Sequence, residues 1–447
     1  MRSGDMTQGN ILRKLILFAI PLLFGNLLQQ LYNAFDAIVV GNYVSNEALA
    51  AVGSSGPLTN MIIAFFMGLS AGASVLISQF YGARDQKSLS GTVHTAMLMS
   101  LILGVVLSAV GIIFTPALLR WMDTPETVFQ EAVQYLQIYF YGLTALTVYN
   151  MGAAVLTAMG DSRRPLYFLT LSAAINVAGN LAFVLIFDMK IAGVAYSTVI
   201  SEAISAVLVV IVLCRSHSEY RLDLRKLRID FPLLKRIAMI GMPSGLQQAI
   251  ISFSNIAVQG YINRLGPIAM SGYTAGTKLD SFTMLPAHTM AMAITTFVGQ
   301  NLGAHQVERA RRGTRYAMIV GMACTALIGI AILLFGRILL RIFTPDPLVI
   351  ESGYQFMSVF APTYVILNFT QILPGALRGA DDVRVPTLVC IFCFVVLRQI
   401  YLFVVTQHFN NIITVALGYP VTWIIAATAI LIHYRRSNWD RFLPPSA

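Results

Sequence analysis

The chain has 447 residues, 57% of them hydrophobic and only 11% charged, which is more apolar surface than one soluble core can bury, so its solvent is lipid. Its 30 Lys and Arg outnumber 20 Asp and Glu for a net charge of +10, but the basic excess lies in short segments between apolar runs. That pattern excludes a nucleic-acid surface and reads as a topological bias.

Apolar runs long enough to cross roughly 30 Å of hydrocarbon recur along the whole chain, and backbone satisfaction in lipid makes them helices. Twelve spans are predicted, at 14–41, 48–80, 92–117, 126–158, 164–187, 190–214, 233–263, 268–301, 314–336, 348–377, 386–407 and 410–434. Runs such as Met97–Phe114 and Ala203–Cys214 lack the alternation of a β-barrel strand. The fold class is therefore an all-α membrane protein. The first span follows Arg13 and Lys14 but is far longer than a signal peptide's apolar core and lacks a small-residue cleavage site, so it is expected to be retained.

In chain order, span 1 carries Pro21, Tyr32, Asn33 and Asp36, span 4 carries Tyr139 and Asn150, and span 5 carries Asn176 and Asn180 one turn apart. Span 6 holds Thr198 and, one turn deeper, Glu202. Span 7 follows with Gln248 and Asn255, span 8 with Lys278, Asp280, Phe282 and Met284, and span 11 with Arg398. Asp36, Glu202 and Asp280 are the acids well inside spans, where each needs a partner, a wet cavity or a task. Asp36, Asn180 and Thr198 fall in one layer roughly 8–12 Å below the outer surface, at about 1.5 Å per residue. A carboxylate, two amides and a hydroxyl at one depth would make an oxygen-rich nest for a proton or Na⁺. The plainer reading of Asp36 is a structural acid hydrogen-bonded to neighbouring amides. Lys278 and Asp280 are two residues apart and cannot pair on one helix face, so Arg398 is the candidate partner of Asp280 in a charge network of the second half. His94 and His288 are lone histidines read as packing or hydrogen-bonding residues. Cys390-x-x-Cys393 has no second pair or His cluster, so neither zinc nor a disulfide framework is expected from the four cysteines.

An offset of about 221 residues brings the two halves into register. Ser78–Ala83 meets Gly299–Ala304, Leu118-Leu119-Arg120 meets Leu339-Leu340-Arg341, Gly160-Asp161 followed by Pro165 meets Gly379-Ala380-Asp381 followed by Pro386, and Pro21 meets Pro243. Each copy has six spans, so the repeat is parallel, giving two pseudo-symmetric six-helix bundles around a central cleft. The expected lobes are 1–214 and 233–447, joined by a charged cytoplasmic linker at 215–232. With the N-terminus inside, 23 of the 30 Lys and Arg fall in cytoplasmic segments, 5 outside and 2 within spans, so both termini are expected in the cytoplasm and the loops near Glu47 and Asn410 outside.

These features together resemble the multidrug and toxic compound extrusion (MATE) family. The residues that carry the likeness are Ile20-Pro21, Phe35-Asp36, Gly82-Ala83-Arg84-Asp85 after span 2, Gly303-Ala304 after span 8, the run Thr296–Gly303, and the paired Gly…Pro turns after spans 4 and 10. The Asp-Arg-x-Gly-Arg-type loop of the other large six-plus-six superfamily is absent from Tyr81–Leu89. The resemblance implies a secondary antiporter that exports small amphipathic organic compounds or drugs in exchange for H⁺ or Na⁺ by alternating access. It implies no enzymatic activity and no cofactor beyond the coupling ion, and no Gly-x-x-x-x-Gly-Lys-Ser/Thr run for ATP exists. It also implies a small-molecule partner, a multi-pass location in the inner (plasma) membrane, and function as a monomer without nucleic acid.

In DinF-type relatives the resemblance implies a cation site that maps onto Asp36, Asn176, Asn180 and Thr198, with Asn180 standing where that branch has a second carboxylate and Glu202 able to supply charge from below. The acids of the NorM-type second-half site have no counterpart, so the DinF-type branch is the nearer. Pro21 is implied as a hinge, and the substrate cleft is expected to draw on Tyr32, Asn33, Tyr139, Asn150, Gln248, Asn255, Lys278, Asp280, Phe282 and Met284. No resident metal is expected, Asp36 being the residue that would hold Na⁺. The alternative is a flippase for a lipid-linked precursor, to which a strongly basic cleft and additional spans would belong.

Overall fold

The computed structural model describes residues 4–122, 124–216, 220–409 and 411–443; the expectation for Asn410 lies outside them. Six helices make up the first half: α1 (Ile11–Tyr43), α2 (Asn46–Ala83), α3 (Gln86–Trp121), α4 (Glu126–Ala158), α5 (Arg163–Ile186) and α6 (Lys190–Arg215). The second half has α7 (Phe231–Asn263), α8 (267–303), α9 (Val307–Leu340), α10 (Pro347–Gly379), α11 (Arg384–Val405) and α12 (Ile412–Arg436). No strand occurs among the described residues. Among the described residues, nine of the helices are long and apolar enough to cross a membrane. The other three, α4, α7 and α8, carry more polar side chains within otherwise spanning lengths.

Helix ends follow local chemistry. Ser45 caps α2 through its hydroxyl, which accepts from Ala48 N at 2.9 Å, and Asp85 caps α3 by accepting from Ser88 N at 3.1 Å. Those bonds from Ser88 hold the Asp85 carboxyl below the usual carboxylate range. Arg84 and His305, at φ 58° and 61°, turn the chain through the left-handed region after α2 and α8, and Gly160 and Asp381, at 84° and 63°, do so after α4 and α10. Both pairs are 221 residues apart, so the repeat extends to backbone stereochemistry.

Packing repeats as well. In the first half α4 is the central helix, against α2, α3 and α6; in the second α10 is central, against α8, α9 and α12. Close approach in both comes from stripes of small buried residues: Thr92, Ala96, Ser100, Gly104, Ser108 and Thr115 on α3, and Gly313, Ala317, Gly321, Thr325, Gly329 and Gly336 on α9. Each member of one stripe is offset by 221 from its counterpart, although the residue types differ in every pair but Ala96 and Ala317. Lipid gives no hydrophobic drive between helices, so interfaces are built by small residues that let backbones meet.

The chain divides into two compact units, one holding residues up to Asp5 and Ile20–Met242, the other holding Met6–Ala19 and the chain from Pro243 onward. Helix α1 thus changes unit just before Pro21, and α7 just before Pro243. Four departures from regular α-helix occur among the described residues. Two are π turns, at Ala182–Ile186 in α5 and Phe392–Leu397 in α11. The others are a break at Met284 ahead of Pro286 in α8 and a 3₁₀ turn at Ala361–Thr363 around Pro362 in α10. All four cysteines are free.

Candidate functional site

The first unit gathers a polar cluster on α1, α5 and α6. One turn of α5 separates Asn176 from Asn180, both fully buried, and places their amides on one face. Asn180 Nδ2 donates to Asp36 Oδ1 at 2.5 Å and to Asn176 Oδ1 at 3.0 Å. Asn176 Nδ2 donates in turn to Thr198 Oγ1 and to the Tyr32 hydroxyl, each at 3.3 Å. The backbone beneath is pinned: Ser197 Oγ donates to Asn176 O at 2.7 Å, and Ser172 Oγ to Ser201 O at 2.9 Å, tying α5 to α6. Asn180 Oδ1 is left with no partner among the described residues. A buried carbonyl oxygen without a donor costs about 1–3 kcal/mol.

The four residues read from the sequence as one site, Asp36, Asn176, Asn180 and Thr198, are therefore joined by direct hydrogen bonds. Glu202 makes no hydrogen bond to a described residue but lies within electrostatic range of Asp36. Tyr32, expected in the substrate cleft, belongs to this network through Asn176. The sequence reading named Tyr139 on α4 but missed Tyr135 one turn before it, the two rings stacked at 6.5 Å; on the same helix Glu131 Oε2 is buried with no partner among the described residues. The i, i+4 spacing back from Tyr139 was the available signal. Among the described residues no three His, Cys, Asp or Glu side chains form a metal cluster.

In the second unit the expected Asp280–Arg398 pairing does not form. The Tyr364 hydroxyl donates to Asp280 Oδ1 at 2.5 Å, satisfying the acid without a cation. Arg398 is 3% exposed, donates from Nη1 to Asn255 Oδ1 at 3.3 Å, and lies 4.1 Å from the Tyr419 ring centroid and 5.4 Å from that of Phe394. Its Nε has no partner, and no carboxylate among the described residues is within ion-pair distance. An aromatic cage substituted for the carboxylate because the ring faces carry partial negative charge. Lys278 is exposed and forms no ion pair with a described residue. Asn33, Gln248 and Asn255 are exposed, Phe282 is half-buried, Met284 sits at the break of α8, and the Asn150 amide is occupied by Leu146 O of its own helix at 2.9 Å.

The family model described as MatE matches residues 21–182 and 243–404, one match in each half of the repeat. The chain belongs to the MatE family. "Probable multidrug resistance protein YoeA" of Bacillus subtilis is 29% identical over 439 residues, covering 96% of this chain and 94% of its own. A "FAD transporter" of Shewanella oneidensis is 25% identical over 426 residues, 93% of each chain. Among solved structures, a MOP-superfamily transporter from Pyrococcus furiosus, described as having a binding pocket of reverse polarity, superposes with a TM-score of 0.91 at 22% identity over 97% of each chain. MatE proteins are transporters and not enzymes, so this chain is a multi-pass membrane transporter, and its bacterial relatives place it in the plasma membrane. The prolines at positions 21 and 243 stand at the first residue of each match.

Proposed function

We propose that this MatE transporter exports amphipathic organic compounds in exchange for H⁺ or Na⁺ by alternating access, taking the coupling ion at Asp36, Asn176, Asn180 and Thr198. The observation that carries the reading is the bonded chain from Asp36 through Asn180 to Asn176 and Thr198, ending in the orphan Asn180 Oδ1. One carboxylate and neutral oxygens suit a monovalent ion that must bind and leave within a cycle. A proton on Asp36 would free Asn180 from its strongest acceptor, and Na⁺ would recruit the orphan oxygen; either changes the α1–α5 contact. The names of relatives over most of the chain favour multidrug efflux over a lipid-linked-precursor flippase. Both termini are read as cytoplasmic from the charge bias.

A caged Arg398 without a carboxylate, together with exposed Lys278, favours substrates that include compounds bearing an acidic group, in keeping with a flavin-nucleotide-transporting relative.

The test is dye uptake into inverted vesicles under an imposed H⁺ or Na⁺ gradient. Asp36→Asn keeps the shape and removes the charge, so it should insert at wild-type levels and lose gradient-driven uptake. Uptake at the wild-type rate would move the coupling site elsewhere, with Glu202 the next residue to substitute.

A further inference from the structure

A cavity of about 470 Å³ in the second unit lies between the start of α9, the second half of α10 and the end of α12. Its composition is graded. Arg311, Arg315 and Arg435 stand at one end with Trp439, while Met318, Met322, Phe369, Leu373 and Leu431 line the rest. On α9 the lining residues Arg311, Arg315, Met318 and Met322 fall on successive turns of one face. From Arg311 to Met322 the stripe runs about 16 Å at about 1.5 Å per residue, the depth of one leaflet of a roughly 30 Å hydrocarbon core.

The charged end is under-compensated. Asp440 lies 3.8 Å from Arg311, while Arg315 and Arg435 have no ion-pair partner among the described residues. Trp439 is 2% exposed, its ring edge-on to Tyr434 at 5.5 Å, and its indole Nε1 has no acceptor among the described residues. Three guanidinium groups and an N–H without an acceptor ask for a multi-oxygen anion, and the apolar wall beneath them asks for a hydrocarbon chain. Free phosphate would satisfy only the first. The positive-inside bias puts this end at the cytoplasmic headgroup level, where basic pockets between helices take anionic lipid heads.

We propose that this cavity is a binding site for one anionic phospholipid, with its phosphate held by Arg311, Arg315, Arg435 and the Trp439 N–H and an acyl chain laid along Met318 and Met322. The site bridges α9, α10 and α12, so occupancy ties the end of α12 to the bundle's central helix. This inference does not depend on the coupling-ion reading.

Native mass spectrometry of the full chain in detergent tests it, with added phosphatidylglycerol, phosphatidylcholine of the same acyl length, and inorganic phosphate. One phosphatidylglycerol adduct per chain is expected at concentrations where phosphatidylcholine gives none and phosphate does not compete. Replacing Arg311, Arg315 and Arg435 by Gln should weaken that adduct by about fivefold per arginine, the scale of one basic residue at an anionic surface. Trp439→Phe, which removes the N–H together with part of the ring, should weaken it severalfold, and a thermal midpoint close to that of the wild type in each variant guards against misfolding. Equal binding of phosphatidylcholine, competition by phosphate, or unchanged phosphatidylglycerol binding by both variants would each overturn the proposal.

Discussion

Asn180 donates to two acceptors through one nitrogen and leaves its oxygen bare among the described residues, so on the proposed coupling site it would be the residue most sensitive to the identity of the ion. Asn180→Asp would set a second carboxylate against Asp36. Two such groups cannot both ionise without a cation between them, so the variant should either hold a proton or demand Na⁺. At about 4 Å a unit charge is worth up to roughly 4 kcal/mol at a surface-like dielectric before desolvation, so the Na⁺ concentration for half-maximal export should fall about tenfold or more. Unchanged Na⁺ dependence in vesicles would place the cation away from Asn180. His94 illustrates a residue whose plain reading was sufficient. Its Nε2 accepts from Asp223 N at 3.1 Å, which leaves the proton on Nδ1 to donate to Ser90 O at 2.7 Å, so the ring holds the linker to α3. The pairing of Asp280 with Arg398 was misread because periodicity gives depth and face but not which aromatic hydroxyl arrives from another helix; Tyr364 took the acid and Tyr419 the guanidinium.

Helix α1 runs unbroken from Ile11 to Tyr43 with Pro21 inside it, although the proline removes one backbone donor and crowds the preceding turn. A helix that keeps its course through such a point has a built-in place to bend. Pro21→Ala should insert and fold as the wild type does and slow transport severalfold in the vesicle assay; wild-type rates would make the proline a packing residue. The small-residue stripes carry a different expectation. A Cβ on Gly329 would lie 2.5 Å from the backbone oxygen of Ala361, at the 3₁₀ turn of α10, where a carbonyl cannot swing aside as a side chain can. Gly329→Ala should therefore destabilise the protein by about 1–3 kcal/mol, read as a lower thermal midpoint in detergent. A midpoint equal to the wild type would mean that α9 and α10 separate freely at this level.

At the scale of the molecule, the charge bias and the even number of spans per copy place both termini on one side. Single cysteines near Glu47 and Asn410, in a background without the four native cysteines, should react with an impermeant thiol reagent in intact cells, and cysteines near either terminus should not. Protection of both loop positions would invert the topology. The twofold repeat explains why so few motifs sufficed to outline the whole: turns at Arg84 and His305, and at Gly160 and Asp381, recur at one offset, and so do the stripes of α3 and α9.

Sequence alone determined the solvent, the helical class, the number of spans and the repeat, because in lipid each span must satisfy its own backbone and its length is set by the bilayer. It also led to the expectation that Asp36, Asn180 and Thr198 share one layer, since depth follows from rise per residue. Only the tertiary structure decided which partners those side chains chose, that Asn180 keeps an unpartnered oxygen, and that Arg398 is caged by rings. It also placed Arg311, Arg315 and Arg435 around one graded cavity. Those choices depend on the rotation and approach of neighbouring helices. Such approach is set by small residues whose smallness is visible in a sequence but whose facing partner, such as Gly329 for Ala361, is not.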